Sequence, residues 1–188
     1  MRELPILLLT LLLSACASTS SLTGDAVPAG VLTALDDGRA DEAATILRNA
    51  SPEDRERAYP ALFTAARERY EGGAYADSLD VLRLLVTEYP EAGAVQEAYV
   101  YGLFLERAGQ KKPDPDLVEE LEEGVAELSA SSVRVPHWVA LVEAQTAIDQ
   151  GQTAEASVAF QRFRSAWDGQ PAALQPYVDD LGRYLASH

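Results

Sequence analysis

Four glycines, Gly38, Gly73, Gly109 and Gly151, recur 35, 36 and 42 residues apart. A period of that size restricts the chain to a fold that uses one small supersecondary unit several times over. Three of the segments around them read "DDGRADEAATIL", "EGGAYADSLDVL" and "DQGQTAEASVAF". Counted from the glycine, position plus five is small (Ala43, Ser78, Ala156) and position plus nine is large and apolar (Leu47, Leu82, Phe160). Two units agree further, with Leu85 and Phe163 at plus twelve and Tyr89 and Trp167 at plus sixteen. Seven residues ahead of the glycines stand Val31, Ala66, Gly102 and Ala144. This pattern predicts two helices on either side of a glycine turn. Small residues let the helices approach closely, larger ones fill the space between successive pairs, and glycine supplies the left-handed residue that ends the first helix.

The third unit departs from the pattern. Asp114 occupies its plus-five position, and "QKKPDPD", residues 110 to 116, lengthens it. Asp114 and Pro115 then make a helix start, followed by an apolar stripe of Val118, Leu121, Val125 and Leu128. Pro90 closes the second unit, and residues 171 to 186 form a terminal helix that covers the last unit's open face.

The chain has 188 residues, 47 % of them hydrophobic and 24 % charged, which suits one folded domain with a proper core. Its formal charge of −15 disfavours nucleic acid and anionic lipid head groups and favours a basic partner. A single cysteine excludes an internal disulfide, and two histidines leave little material for a metal site. The fold therefore depends on packing.

The amino terminus follows a different logic. After Arg2, residues Leu4 to Leu13 are apolar apart from Pro5 and Thr10, and the small residues Ser14 and Ala15 follow. This is the anatomy of a signal peptide, and its apolar run is too short for a membrane-spanning helix, which takes about 20 residues. The residues Leu13-Ser14-Ala15-Cys16 resemble the lipobox of bacterial lipoproteins. That resemblance implies cleavage ahead of Cys16, acylation of Cys16 and attachment to a membrane. By the family's sorting rule, Ala17 rather than Asp implies the outer membrane, with the chain facing the periplasm. The stretch "ASTSSLTGDA" that follows has too little apolar surface to fold and reads as a tether. The expected organisation is a signal peptide over 1–15, a lipidated cysteine and tether over 16–26, and a helical domain over 27–188.

From about residue 27 to 168 the repeats resemble the tetratricopeptide repeat, most clearly in "LLVTEYPEAGAVQEAYVYGLFLERAG". Arg69 and Glu143 stand where that family prefers aromatic and apolar residues. The resemblance implies an all-α chain of antiparallel helix pairs, about four units with a capping helix, coiled into a solenoid whose concave side is lined by the first helix of each pair. Carried over residue by residue, the family's groove positions fall on Phe63, Arg67 and Tyr70, on Tyr99 and Leu103, and on Trp138, Leu141 and Gln145. Such a groove suits an extended or helical peptide.

No phosphate-binding loop, zinc-protease, serine-hydrolase, EF-hand or paired-cysteine motif occurs. His137 follows Pro136 at a helix start and reads as solvated or capping. No catalytic residue, cofactor or metal is expected. The cluster Glu119, Glu120, Glu122 and Glu123 falls on the polar side of an amphipathic helix. The expected function is that of a lipid-anchored periplasmic adaptor or scaffold for a polypeptide partner of an envelope assembly machine. Such repeats resemble those in lipoproteins of outer-membrane protein assembly, pilus pilotins and coordinators of cell division. The alternative is an accessory lipoprotein that regulates a cell-wall enzyme through the acidic helix.

Overall fold

The computed structural model describes residues 22–112, 114–130, 136–169 and 172–188, so Cys16 and the leader lie outside the described residues. Those described form nine α-helices and one 3-10 turn, with no strand. The helices are α1 (Ala26–Asp36), α2 (Ala40–Asn49), α3 (Pro52–Glu71), α4 (Tyr75–Glu88), α5 (Gly93–Gly109), α6 (Pro115–Ala130), α7 (Val139–Asp149), α8 (Thr153–Ala166) and α9 (Gln175–Ser187). The 3-10 turn Ala172–Leu174 leads into α9. Each odd-numbered helix up to α7 packs on the one that follows it, α4 packs on α5, α6 on α7, and α9 on α8. None of the described helices is long and apolar enough to cross a membrane.

Three turns share one backbone solution. Gly38, Gly73 and Gly151 have φ of 71°, 83° and 75°. In each case the next residue's N–H reaches back five residues: Arg39 to the Ala34 carbonyl at 2.7 Å, Ala74 to that of Arg69 at 2.9 Å, and Gln152 to that of Ala147 at 2.7 Å. These bonds satisfy carbonyls that the end of the helix would otherwise leave open. The expectation of a left-handed glycine fails at Gly109, which is the last residue of α5. Gln110 follows it in extended backbone, with φ −88° and ψ 133°. At the start of α6 the Asp114 carboxylate accepts from the Asp116 N–H at 3.1 Å and Pro115 begins the helix.

The small positions are buried as the spacing requires: Ala43, Ala144 and Ala156 are fully enclosed, and Ala66 and Ser78 nearly so. Ser78 donates its hydroxyl to the Ala66 carbonyl at 2.8 Å, joining α4 to α3. At Gly102 the approach is tight: a Cβ there would lie 3.0 Å from Leu79 Cδ2, and the leucine would have to give by a few tenths of an ångström. In the third pair Gly124 supplies the small residue of the second helix, its Cβ position 3.0 Å from Val100 Cγ2. The buried side of α6 is accordingly Leu117, Leu121, Gly124 and Leu128. Val118 and Val125 are only half-buried, which turns the expected stripe toward Leu117 and Gly124.

Two apolar clusters run the length of the chain. One joins α1 to α4 and the start of α5 around Leu47, Leu62 and Leu85; the other joins α5 to α9 around Leu103, Leu141 and Phe163. An ion pair is built into the second half. Arg107 of α5 donates through Nε to Asp149 Oδ2 at 2.6 Å and through Nη2 to Oδ1, and each side chain is only 7 % exposed. Gln145 adds a donor to Oδ1 at 3.1 Å. Asp149 ends α7, where the helix dipole disfavours a carboxylate, so the guanidinium also offsets that repulsion. Removing either partner leaves a buried charge without its counterpart. We predict that Arg107→Met alone, or Asp149→Leu alone, lowers the unfolding free energy by about 3–5 kcal/mol in urea titrations, and that the double variant recovers most of the loss.

Candidate functional site

Helix α3 presents Tyr59, Phe63, Arg67 and Tyr70 along one face at helical spacing. Opposite them α5 brings Ala98, Tyr101 and Gly102, and the two helices enclose a hollow of about 240 Å³. Its floor is made of small residues, Ala66, Ala98 and Gly102, and its walls are Phe63, Tyr70 and Tyr101, with Arg67 at the rim. The only polar side chain in the floor, Ser78, has already given its hydroxyl to Ala66. Besides Ser78, the polar groups of the lining are the phenols of Tyr70 and Tyr101 and the Arg67 guanidinium, and the rest of the surface suits an apolar side chain.

The aromatic surface continues on both sides. Tyr75 lies 5.2 Å from Tyr70, Tyr70 lies 6.4 Å from Tyr101, and Tyr101 meets Trp138 edge-on at 5.3 Å, all measured between ring centroids. From α9, Tyr177 meets Phe104 edge-on at 5.7 Å, which brings the terminal helix against α5. Toward the other end, Tyr59 stacks on Phe63 at 6.2 Å and meets Tyr89 at 5.2 Å.

Of the residues named from sequence, Phe63, Arg67 and Tyr70 come together at the hollow. The others do not join them there. Leu103 and Leu141 are enclosed in the core, and Trp138, 6 % exposed, reaches the site only through the edge of Tyr101. Tyr99 turns to the other side of α5 and donates its hydroxyl to Glu120 of α6. Gln145 is spent on Asp149. On α5 it is Ala98 and Tyr101, rather than the expected Tyr99 and Leu103, that line this hollow.

The acidic helix is partly occupied by its own neighbours. Glu120 accepts from Arg83 Nε at 2.7 Å and Nη2 at 2.9 Å, and Glu122 accepts from Gln150. The Arg83 hydrogen bond, opposed by burial and helped by Tyr99, holds the Glu120 carboxyl below its ordinary range. Glu119 and Glu123 are exposed and have no ion pair among the described residues. Among the described residues no three His, Cys, Asp or Glu side chains are grouped to hold a metal ion.

The tyrosines of the hollow resist ionisation. Burial, and then the neighbouring phenols of Tyr101 and Tyr75, push Tyr70 up to about 12 from its ordinary 10.0. Burial also raises Tyr101 and Tyr177. A raised phenol binds its proton more tightly in the folded chain, so its contribution to stability is complete below the unfolded value and is lost as pH rises through the folded one. Stability should therefore fall between pH 10.0 and about 12. Tyr70→Phe should flatten that fall in urea titrations, and the phenolate absorbance of one tyrosine should be missing from the top of the titration.

The chain matches no protein-family model, no curated protein and no solved structure, so the functional reading stands on these residues and their geometry.

Proposed function

We propose that the chain is a lipid-anchored adaptor of the bacterial envelope: a tetratricopeptide-like solenoid of four helix pairs and a capping helix, attached through Cys16 at the periplasmic face of the outer membrane, that docks a polypeptide segment of an envelope assembly machine. The observation that carries the reading is the aromatic hollow between α3 and α5. Its small-residue floor, its three aromatic walls and its satisfied Ser78 hydroxyl are what an apolar anchor of a bound peptide needs. The three identical glycine turns support the repeat assignment.

The start of the described chain supports the anchoring geometry. Leu22 lies against α1 at Gly30, and the Gly24 N–H donates to Asp54 Oδ1 at 2.9 Å, which fixes this segment beside the start of α3. Cys16 precedes Leu22 by six residues, a reach of at most about 20 Å. An acyl group there would hold the end of the solenoid that carries the starts of α1 and α3 close to the bilayer.

The test is co-purification from detergent-solubilised envelopes with intact-mass measurement, comparing the native chain with Cys16→Ser and with Phe63→Ala/Tyr70→Ala. The native chain should carry the mass of acyl groups and retain an envelope partner. Cys16→Ser should lose the lipid, and the aromatic double variant should keep the lipid and lose the partner while remaining helical by circular dichroism. An unmodified, soluble native chain would overturn the anchor. Partner retention by the double variant would overturn the hollow as the docking site.

A further inference from the structure

At the membrane-proximal end of α3, beyond Tyr59, lies a second and larger concavity. It is an open cleft of about 900 Å³ between the end of α2, the start of α3 and the α4–α5 connection, a size within the range of ligand sites, about 300–1,000 Å³. Its floor is apolar and stiff: Pro52 and Pro90 with the rings of Tyr59 and Tyr89. Tyr89 is fixed from two directions, its hydroxyl donating to the Arg55 carbonyl at 2.8 Å and its ring lying 5.6 Å from the Arg55 guanidinium.

The charges of the cleft divide into two kinds. Arg48 and Arg55 both converge on Glu88, whose side chain is only 6 % exposed; Arg48 approaches Oε1 at 2.7 Å and Arg55 approaches Oε2 at 3.4 Å. One carboxylate answers two guanidiniums here, so this cluster keeps a single positive charge, with Arg48 the more exposed of the two arginines. Glu56 on the α3 wall and Glu91 on the connection wall also line the cleft, and neither has an ion pair among the described residues. On the α3 wall, Pro60 has no N–H to give the Glu56 carbonyl one turn back, which leaves that oxygen open to another donor. The lining charges therefore sum to −1, with an unpaired carboxylate on each wall beside the apolar and aromatic residues.

We infer that this cleft is a docking pocket for a basic, apolar stretch of polypeptide. In it a lysine or arginine side chain is held between the Glu56 and Glu91 carboxylates while its apolar neighbour rests on Tyr59 and Tyr89. An anionic occupant would meet two unpaired carboxylates, Glu56 and Glu91, which outweigh the one positive charge that Glu88 leaves over. A neutral apolar one would desolvate both without compensation. A cation answers both, and the ring of Tyr89 already accepts one on its face. The chain's charge of −15 attracts the same kind of segment from a distance. The inference rests on the reading of the chain as a polypeptide adaptor and adds to it. The stacking of Tyr59 on Phe63 makes the cleft continuous with the aromatic hollow. From Arg55 to Tyr70 the track runs along fifteen residues of α3, about 22 Å, so one segment can reach both.

The experiment selects random displayed heptapeptides on the immobilised full chain, then titrates the resynthesised winners by fluorescence anisotropy. The native chain is compared with Glu56→Gln/Glu91→Gln and with Phe63→Ala/Tyr70→Ala. The winners should carry Lys or Arg beside an aliphatic or aromatic residue. The glutamine pair should bind them about tenfold more weakly, with an unchanged thermal midpoint, and the native affinity should fall as salt rises. Winners without a cation, or equal affinity for the glutamine pair, would overturn the proposal. If binding were lost only in Phe63→Ala/Tyr70→Ala, the adaptor reading would stand and this cleft would not be its docking site. If no peptide were enriched, both would fail. A native chain that is dimeric in light scattering, and monomeric once Glu56 and Glu91 are neutralised, would assign the cleft to a second copy and likewise overturn the proposal.

Discussion

Everything in this fold depends on helices coming closer together than ordinary side chains allow. The positions that make this happen are Ala43, Ala66, Ser78, Gly102, Gly124, Ala144 and Ala156, each buried between neighbouring helices. Close approach brings larger residues such as Leu47, Leu82 and Phe163 into the gaps between pairs, where most of the apolar surface is removed from water. Ser78 is the informative exception to the run of alanines and glycines. Its hydroxyl can sit at that contact because the Ala66 carbonyl lies across from it at 2.8 Å. A side chain one carbon longer would force the pair apart and open the floor of the aromatic hollow, which Ala66 and Ser78 share. Packing and site are thus the same contact seen from two sides.

The sequence was most legible where a residue type has only one physical use. Glycine with a left-handed φ ends a helix, and three of the four repeat glycines do so with matching hydrogen bonds. Asp114-Pro115 starts one, and the apolar run of α6 follows it. Legibility failed where the residue type serves two uses. A tyrosine on α5 can line a groove or satisfy a carboxylate, and composition does not distinguish Tyr99 from Tyr101. What separates them is Glu120, which lies on another helix, pairs with Arg83 and captures the Tyr99 hydroxyl. The buried Arg107–Asp149 pair was equally invisible, because its members are 42 residues apart and each reads as a surface charge at a helix end.

The arginines reveal a second order in the stack. Arg69 of α3 reaches Asp36 of α1, Arg48 of α2 reaches Glu88 of α4, Arg83 of α4 reaches Glu120 of α6, and Arg107 of α5 reaches Asp149 of α7. Each tie joins a helix to the one two places away, which is its counterpart in the adjoining pair. Hairpins are closed by small residues, and successive hairpins are clamped by guanidinium and carboxylate. The exposed ties contribute little individually, about 0–1 kcal/mol. The Arg107–Asp149 pair differs in that both of its side chains are taken out of water, so losing either one is costly.

That use of arginine has a consequence for what the surface can bind. The chain has 15 basic residues against 30 acidic ones, and the arginines that reach across the stack are committed to carboxylates of other helices. The carboxylates without such a tie, among them Glu56, Glu91, Glu119 and Glu123, are exposed. A protein built this way presents a negative exterior even around its aromatic concavities. A segment that entered those concavities would meet that charge.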